Sequence, residues 1–451
     1  MYGLKNNSRL DNRKGFDIKM FGNLLRLYKM KKVLKSFDLI CIGNSISSLT
    51  AAKHALKYNK SPCIITQTSK SHTLKGINNE DIGVRLLYNA VRIYTNSITA
   101  AEYGVWTDKH NKDSNELTFN WKVFKEKVKE QIDVANMNIE RECIRLGITL
   151  IKDTAEFVSP TSVSLRSSGI VVQGEKILMA VDGVNVYDEL NSLEELPKSL
   201  IVVGSDPSLI SVASSMSALG VYTRVYSDTV LPEYDPQLVK LLMEHMKSKG
   251  VEFYTQVNIE SITQTNNQFR VLKTKAGKEL KAELIITDKG IYSCTKDLDL
   301  IAINTKLKDN IHSISSKAKG RILIDELFGY KNDKEEIVPI GVLSSPPIVR
   351  CGMNEKEAIN KFGKEKVEVH FQDGYEYSQA LVKSKEPMAI KFVVAEVLNK
   401  QTIIGIHALG RNTEEVVNGF ALAMQKGLTK RELKRMIVSY PSIAEEFFNI
   451  L

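Results

Sequence analysis

Cysteine is scarce in this chain and scattered. The five thiols, Cys41, Cys63, Cys143, Cys294 and Cys351, are spread over 451 residues. There is no Cys-x-x-Cys and no metal-ligand spacing, so a zinc ribbon or a sequence-local dithiol is excluded and no metal site is expected. Scattered thiols suit a reducing compartment, and a cytoplasmic location is the expectation. Long hydrophobic runs are also missing. No stretch reaches the roughly 20 apolar residues of a spanning helix, so no membrane span is expected. Low-complexity tracts are absent. Acidic residues are nearly absent from the first 36 positions, where Asp11 and Asp17 face ten lysines and arginines. That arm carries +8 of the chain's +9, and the remainder is near neutral.

The composition is otherwise that of a globular protein, 43% hydrophobic and 25% charged, with length for two or three domain cores. The basic arm, residues 1–36, has three readings. It is a solvated tail, a mitochondrial presequence built on the amphipathic run Met20–Lys35, or a docking arm for an acidic surface such as an unknown protein or ribonucleoprotein. The second makes a mitochondrial location the alternative.

The first folded pattern is Phe37-Asp-Leu-Ile-Cys-Ile-Gly43, an apolar strand run ending in glycine. A helix pattern, Ser47–Lys57, and a second strand run, Pro62–Gln67, follow. This order announces a Rossmann-type βαβ unit. Phe119 to Cys143 reads as a long amphipathic helix, and strands continue to Ala180. A second βαβ unit opens at Ser199-Leu-Ile-Val-Val-Gly204 and closes near Asp288. From Pro339 the alternation changes to antiparallel strands at 367–371, 389–394 and 402–407, then two helices near 414–426 and 430–437. The fold class expected is α/β, with two Rossmann-like βαβ domains and a C-terminal α+β dimerisation domain.

Several segments carry a specific resemblance. Ser344-Ser-Pro-Pro-Ile-Val-Arg-Cys-Gly352, Gly405-Ile-His-Ala-Leu-Gly410, Val417-Asn-Gly-Phe-Ala-Leu-Ala-Met424 and Leu193 to Gly204 are similar, in order, to segments of the glutathione reductase family, the class I pyridine nucleotide-disulfide oxidoreductases. Phe119-Asn-Trp-Lys-Val123 resembles the helix after that family's redox region. The resemblance implies an FAD-like domain at 37–190 and 291–338, an NADPH-like domain at 191–290 and an interface domain at 339–451 that makes a homodimer.

Position by position, the chemistry that the resemblance implies is missing. Ser439-Tyr440-Pro441-Ser442-Ile-Ala-Glu445 stands where the family has its acid/base His and the Glu that orients it. Tyr440 replaces the His, and a phenol with pKa near ~10 cannot shuttle protons at neutral pH as an imidazole can. The FAD fingerprint Gly-x-Gly-x-x-Gly falls on Gly43, Ser45 and Ser48, and Gln67 stands for the ribose-binding acid. The redox dithiol segment, residues 70–90, contains no cysteine, which excludes thiol-disulfide exchange there. In the NADPH fingerprint Gly204 remains, but Asp206 replaces the second glycine and Ser211 the Glu. Asp206 reads better as a helix cap before Pro207 than as part of an anion site. Tyr226 and Pro232 fall where the family's 2′-phosphate arginines are expected. Ile322–Asp325 reads as a strand, with a flavin-side strand and helix lost between Glu326 and Leu327, so the flavin domain is expected to be truncated. His407 reads as a core or interface residue, Glu445 and Glu446 as helix-surface or interface acids, Asp325 and Glu326 as a strand-end turn, and Tyr440 as packed where the His packed.

The function expected is therefore a catalytically inactive pseudoenzyme acting as a dimeric structural or interaction protein, with no cofactor. The alternatives are a divergent FAD-dependent NAD(P)H disulfide oxidoreductase and a non-catalytic nucleotide-binding sensor.

Overall fold

The computed structural model describes residues 33–43, 45–66, 79–105, 118–179, 186–257, 259–266, 269–287, 316–329 and 337–450. Strand β1 (Val33–Ile42) leads through helix α1 (Ile46–Ala55) to β2 (Pro62–Thr66). Helices α2 (Asn79–Thr99) and α3 (Trp121–Leu146) precede β3 (Thr149–Lys152). A meander of β4 (Ala155–Ser159), β5 (Ser162–Leu165) and β6 (Val171–Met179) completes one sheet, in the order β3-β2-β1-β6-β5-β4. Its first four strands run parallel, with Ile40 paired to both Cys63 and Ile177. β1 and β2 are buried on both faces, which is why they read as continuous apolar runs.

A short helix α4 (Val186–Asn191) leads to the second unit: β7 (Ser199–Val203), α5 (Pro207–Ala218), β8 (Tyr222–Tyr226), α6 (Pro236–Ser248) and β9 (Glu252–Tyr254). An antiparallel meander, β10 (Ile259–Asn266), β11 (Phe269–Thr274) and β12 (Glu279–Ala282), returns the chain to β13 (Leu284–Thr287). β13 lies parallel beside β7 in the order β13-β7-β8-β9.

Helix α7 (Ser316–Leu327) then packs against α1, back in the first domain. This corrects the expectation of a strand at 322–325. Gly320, Leu323, Ile324 and Leu327 form one packed face at helical spacing, and an isolated Ile-Leu-Ile run cannot reveal its period. The helix runs through Glu326 to Leu327.

The C-terminal sheet takes the order β14-β15-β18-β17-β16, from β14 (Ile340–Val342), β15 (Ile348–Gly352), β16 (Val367–Gly374), β17 (Met388–Val397) and β18 (Lys400–Leu409). All its pairings are antiparallel. Helix α8 (Glu355–Phe362) is closed by a capping box between Asn354 and Glu357. Helices α9 (Thr413–Gln425), α10 (Lys430–Lys434) and α11 (Ile443–Asn449) cover the opposite face around Phe392, Phe420 and Phe447. The second of these is shorter than the sequence suggests, ending at Lys434 rather than near Ile437.

Candidate functional site

The β1–α1 turn is the first place a dinucleotide would approach. Gly43 adopts φ 131°, a conformation glycine alone takes easily. Ser45 caps α1, accepting from the Ser48 amide at 3.4 Å, and the Ser48 hydroxyl donates to the Gly43 carbonyl at 3.0 Å. Both serines are buried and spend their hydrogen bonds inside the turn. Gln67 lies outside the described residues.

α7 crosses α1 very closely at Gly320, where a Cβ would stand 2.6 Å from the Ser47 carbonyl oxygen. Next to the crossing, Asp325 accepts from the Tyr58 hydroxyl and pairs with His54 Nε2, both at 2.5 Å. Asp325 is thus a helix-to-helix clamp, not the strand-end turn expected.

Of the segment 70–90, residues 79–90 lie in α2 and residues 70–78 lie outside the described residues. The four described cysteines are all buried and none is on α2. Burial raises the thiol pKa of Cys41, Cys143 and Cys351, the last to about 12, which makes poor nucleophiles of them.

The second turn is closed from within. Gly204 has φ 126° and donates to the Tyr226 carbonyl at 2.9 Å. Asp206 is the N-cap of α5, its carboxylate accepting from the Ser208 amide at 2.8 Å, with Pro207 following. A negative side chain therefore holds the helix end that would attract a pyrophosphate. The Ser211 hydroxyl donates to the Pro207 carbonyl at 2.9 Å. Tyr226, buried at the end of β8, stacks on Tyr254 with centroids 4.8 Å apart and planes 10° apart. Glu252 accepts from Tyr222 and Tyr254, and these bonds hold its carboxyl pKa below the usual range. Pro232 is exposed.

Tyr440 is 80% exposed, three residues from the still more exposed Ile437. No other described part of the protomer covers its ring. Glu445 and Glu446 sit in the first turn of α11, a favourable place for negative charge. His407 is 1% exposed on β18, where its Nε2 meets the Met353 carbonyl at 3.0 Å. Desolvation holds its pKa down.

No motif marks the charged node that joins the second domain to the C-terminal sheet. Lys391, 2% exposed on β17, reaches Asp235 at 2.9 Å, Glu355 at 2.8 Å and Gln237 at 2.7 Å. Arg350, paired across β15 and β18 with His407, meets Glu233 at 2.9 Å. Arg411 makes a two-point bridge to Glu386 at 2.6 and 3.0 Å and also reaches Asn96 of α2. Among the described residues no His, Cys, Asp and Glu cluster could hold a metal.

A first sheet with a parallel core, a second, parallel sheet inserted after it and an antiparallel sheet following define an α/β protein of two Rossmann-like domains and a C-terminal domain. The family model for pyridine nucleotide-disulphide oxidoreductases matches residues 37–328, and the model for their dimerisation domain matches residues 338–449. The chain belongs to the pyridine nucleotide-disulphide oxidoreductase family. It is similar to the glutathione reductase of Schizosaccharomyces pombe (strain 972 / ATCC 24843), 26% identical over 476 aligned positions that cover 94% of this chain and 100% of that protein. The dimerisation domain supports a homodimer. Among the described residues no helix is long and apolar enough to cross a membrane.

Proposed function

We propose that this chain is a glutathione reductase-like pseudoenzyme that acts as a dimeric structural or interaction protein. The observation that carries the reading is the lack of any cysteine in residues 70–90, because disulfide exchange requires a thiolate nucleophile. The capped turn at Asp206, the Tyr226 and Tyr254 stack and the phenol at Tyr440 argue the same way. FAD is the family's cofactor to test at the first turn, but Ser45 brings a side chain where close backbone approach to a pyrophosphate favours none. A second reading, a divergent flavin-dependent oxidoreductase, draws on the retained Gly43 turn and parallel sheet. The basic arm offers an electrostatic surface to an acidic partner, protein or ribonucleoprotein.

An absorbance scan of the purified protein, with an assay for NADPH oxidation by glutathione disulfide, tests the proposal. A colourless, inactive protein is expected. A flavin spectrum with disulfide-dependent turnover would overturn the pseudoenzyme reading in favour of the second.

A further inference from the structure

Strand β16 is an edge of the C-terminal sheet. One side of it pairs with β17 along all of Val367–Gly374, without a bulge. Among the described residues no strand pairs with its other side. A free edge is a template for another strand, and folds blunt it with shortness, proline, lysine, a bulge or a covering segment. β16 is eight residues long and has no proline, lysine or bulge. It reads Val367-Glu-Val-His-Phe-Gln-Asp-Gly374. Alternation puts Val367, Val369 and Phe371 on one face and Glu368, His370 and Gln372 on the other. Phe371 is 37% exposed.

We propose that β16 pairs antiparallel with β16 of a second copy, about a two-fold axis at Val369, as a contact additional to the homodimer interface. In this register the strand is self-complementary. Val369 faces the partner's Val369, Val367 faces the partner's Phe371, and Glu368 faces the partner's His370. Such apolar and polar cross-strand pairs are what stabilise a ladder. Neighbouring registers are poorer. An axis at Glu368 sets two carboxylates face to face; an axis at His370 sets Val367 against the partner's Asp373. An axis between residues is excluded, because the outward backbone groups of both copies come from residues of one parity. Near the Val369 axis each Glu368 keeps its own cation, Lys430, at 2.6 Å. Glu365 would meet the partner's Asp373, but it lies in the 3-10 turn Lys364–Lys366, outside the ladder. An axis normal to the sheet keeps like faces together, so two five-stranded sheets join into one. A single strand pair is a small, weak contact, so it adds to an existing dimer as concentration rises. With two self-matching contacts per chain, dimers then join into larger assemblies. The inference stands apart from the pseudoenzyme reading, since β16 belongs to neither nucleotide turn and an active reductase would carry it equally.

The test is disulfide trapping in the full chain carrying Val369→Cys, with Glu368→Cys and the parent chain as controls. At the axis the two Cα atoms are about 4.5–5.5 Å apart, a separation that a disulfide bridges. Val369→Cys should therefore link to its own copy and run at twice the chain mass under denaturing, non-reducing conditions. Two copies of Glu368→Cys are diagonal neighbours, about 7–8 Å apart, and should not link. No link in Val369→Cys, or an equal link in both variants, overturns the proposal. Sedimentation of the wild type over a range of concentrations gives a measure that needs no cysteine. Mass above the dimer is expected at high concentration. Phe371→Lys, which places a charge on the edge, should remove that mass and leave the dimer and its far-ultraviolet spectrum unchanged. A wild type that stays at dimer mass throughout, or larger species that persist in Phe371→Lys, would show that β16 does not pair.

Discussion

His245 lies on the buried side of α6, facing Glu386, Arg411 and Lys249, and is 8% exposed. Burial, ahead of all other causes, pushes its pKa from 6.5 down to about 4. The native state therefore binds fewer protons than the unfolded chain between those values, and stability rises with pH across that window. Glu386 acts in the same direction. Its pKa is set by opposing effects, burial raising it and the bridge to Arg411 lowering it further, so its contribution is also lost on acidification. Denaturant melts from pH 7 to pH 4 should show a steady loss, and His245→Gln should flatten the part between 6.5 and 4. A second prediction concerns Asp206. With its carboxylate removed and a cation supplied at the neighbouring strand end, Asp206→Gly with Tyr226→Arg should show a thermal shift with NADPH at millimolar concentration that the wild type lacks. An equal shift in both proteins would mean that the turn already accepts the phosphate. These residue losses were legible in the sequence because each is a missing atom type at a fixed place. Their geometry was not: that Ser48 bonds back to Gly43, or that Tyr226 stacks on Tyr254, depends on residues brought together by folding.

Between elements, two contacts decide how the pieces join. At the α1 and α7 crossing, Gly320→Val would drive carbons into the Ser47 carbonyl and the Ala51 amide, both backbone atoms that cannot rotate away. A loss of about 1–3 kcal/mol in urea unfolding is expected, as for overpacked cores. At the second contact, Lys391→Met would leave Asp235, 1% exposed, without its cation. Breaking a buried pair on one side costs about 3–5 kcal/mol, and Lys391→Met with Asp235→Asn should recover part of it in a double-mutant cycle. Most elements could be read from the chain because period and length agree, as in α3 and in β17 and β18. α7 could not, because a three-residue apolar run fits either period. The Lys391 node could not either: its partners are separated by 36 and more residues, and nothing in a strand such as Ala389-Ile-Lys-Phe-Val-Val394 says which acids will close over the lysine.

For the molecule as a whole, the exposed Met436, Ile437 and Tyr440 within the dimerisation domain predict an interface built on them. Light scattering should give twice the chain mass, and Ile437→Asp should shift the protein toward monomer with little effect on its far-ultraviolet spectrum. The order of domains was legible, since the two βαβ units and the change of alternation after Pro339 are properties of pattern. The layout also has a consequence for synthesis. The face of α1 that α7 covers is made early, yet α7 emerges only after the whole second domain, about 270 residues later. At about 5–20 residues per second that is a wait of very roughly 15–55 s. During it Ala51, Thr50 and their neighbours, which the Gly320 turn of α7 will cover, stand open on a half-built domain. The nascent chain thus has an apolar surface for holding factors at the ribosome to cover, and it is the inserted domain, folding on its own in the interval, that delivers the missing helix to close it.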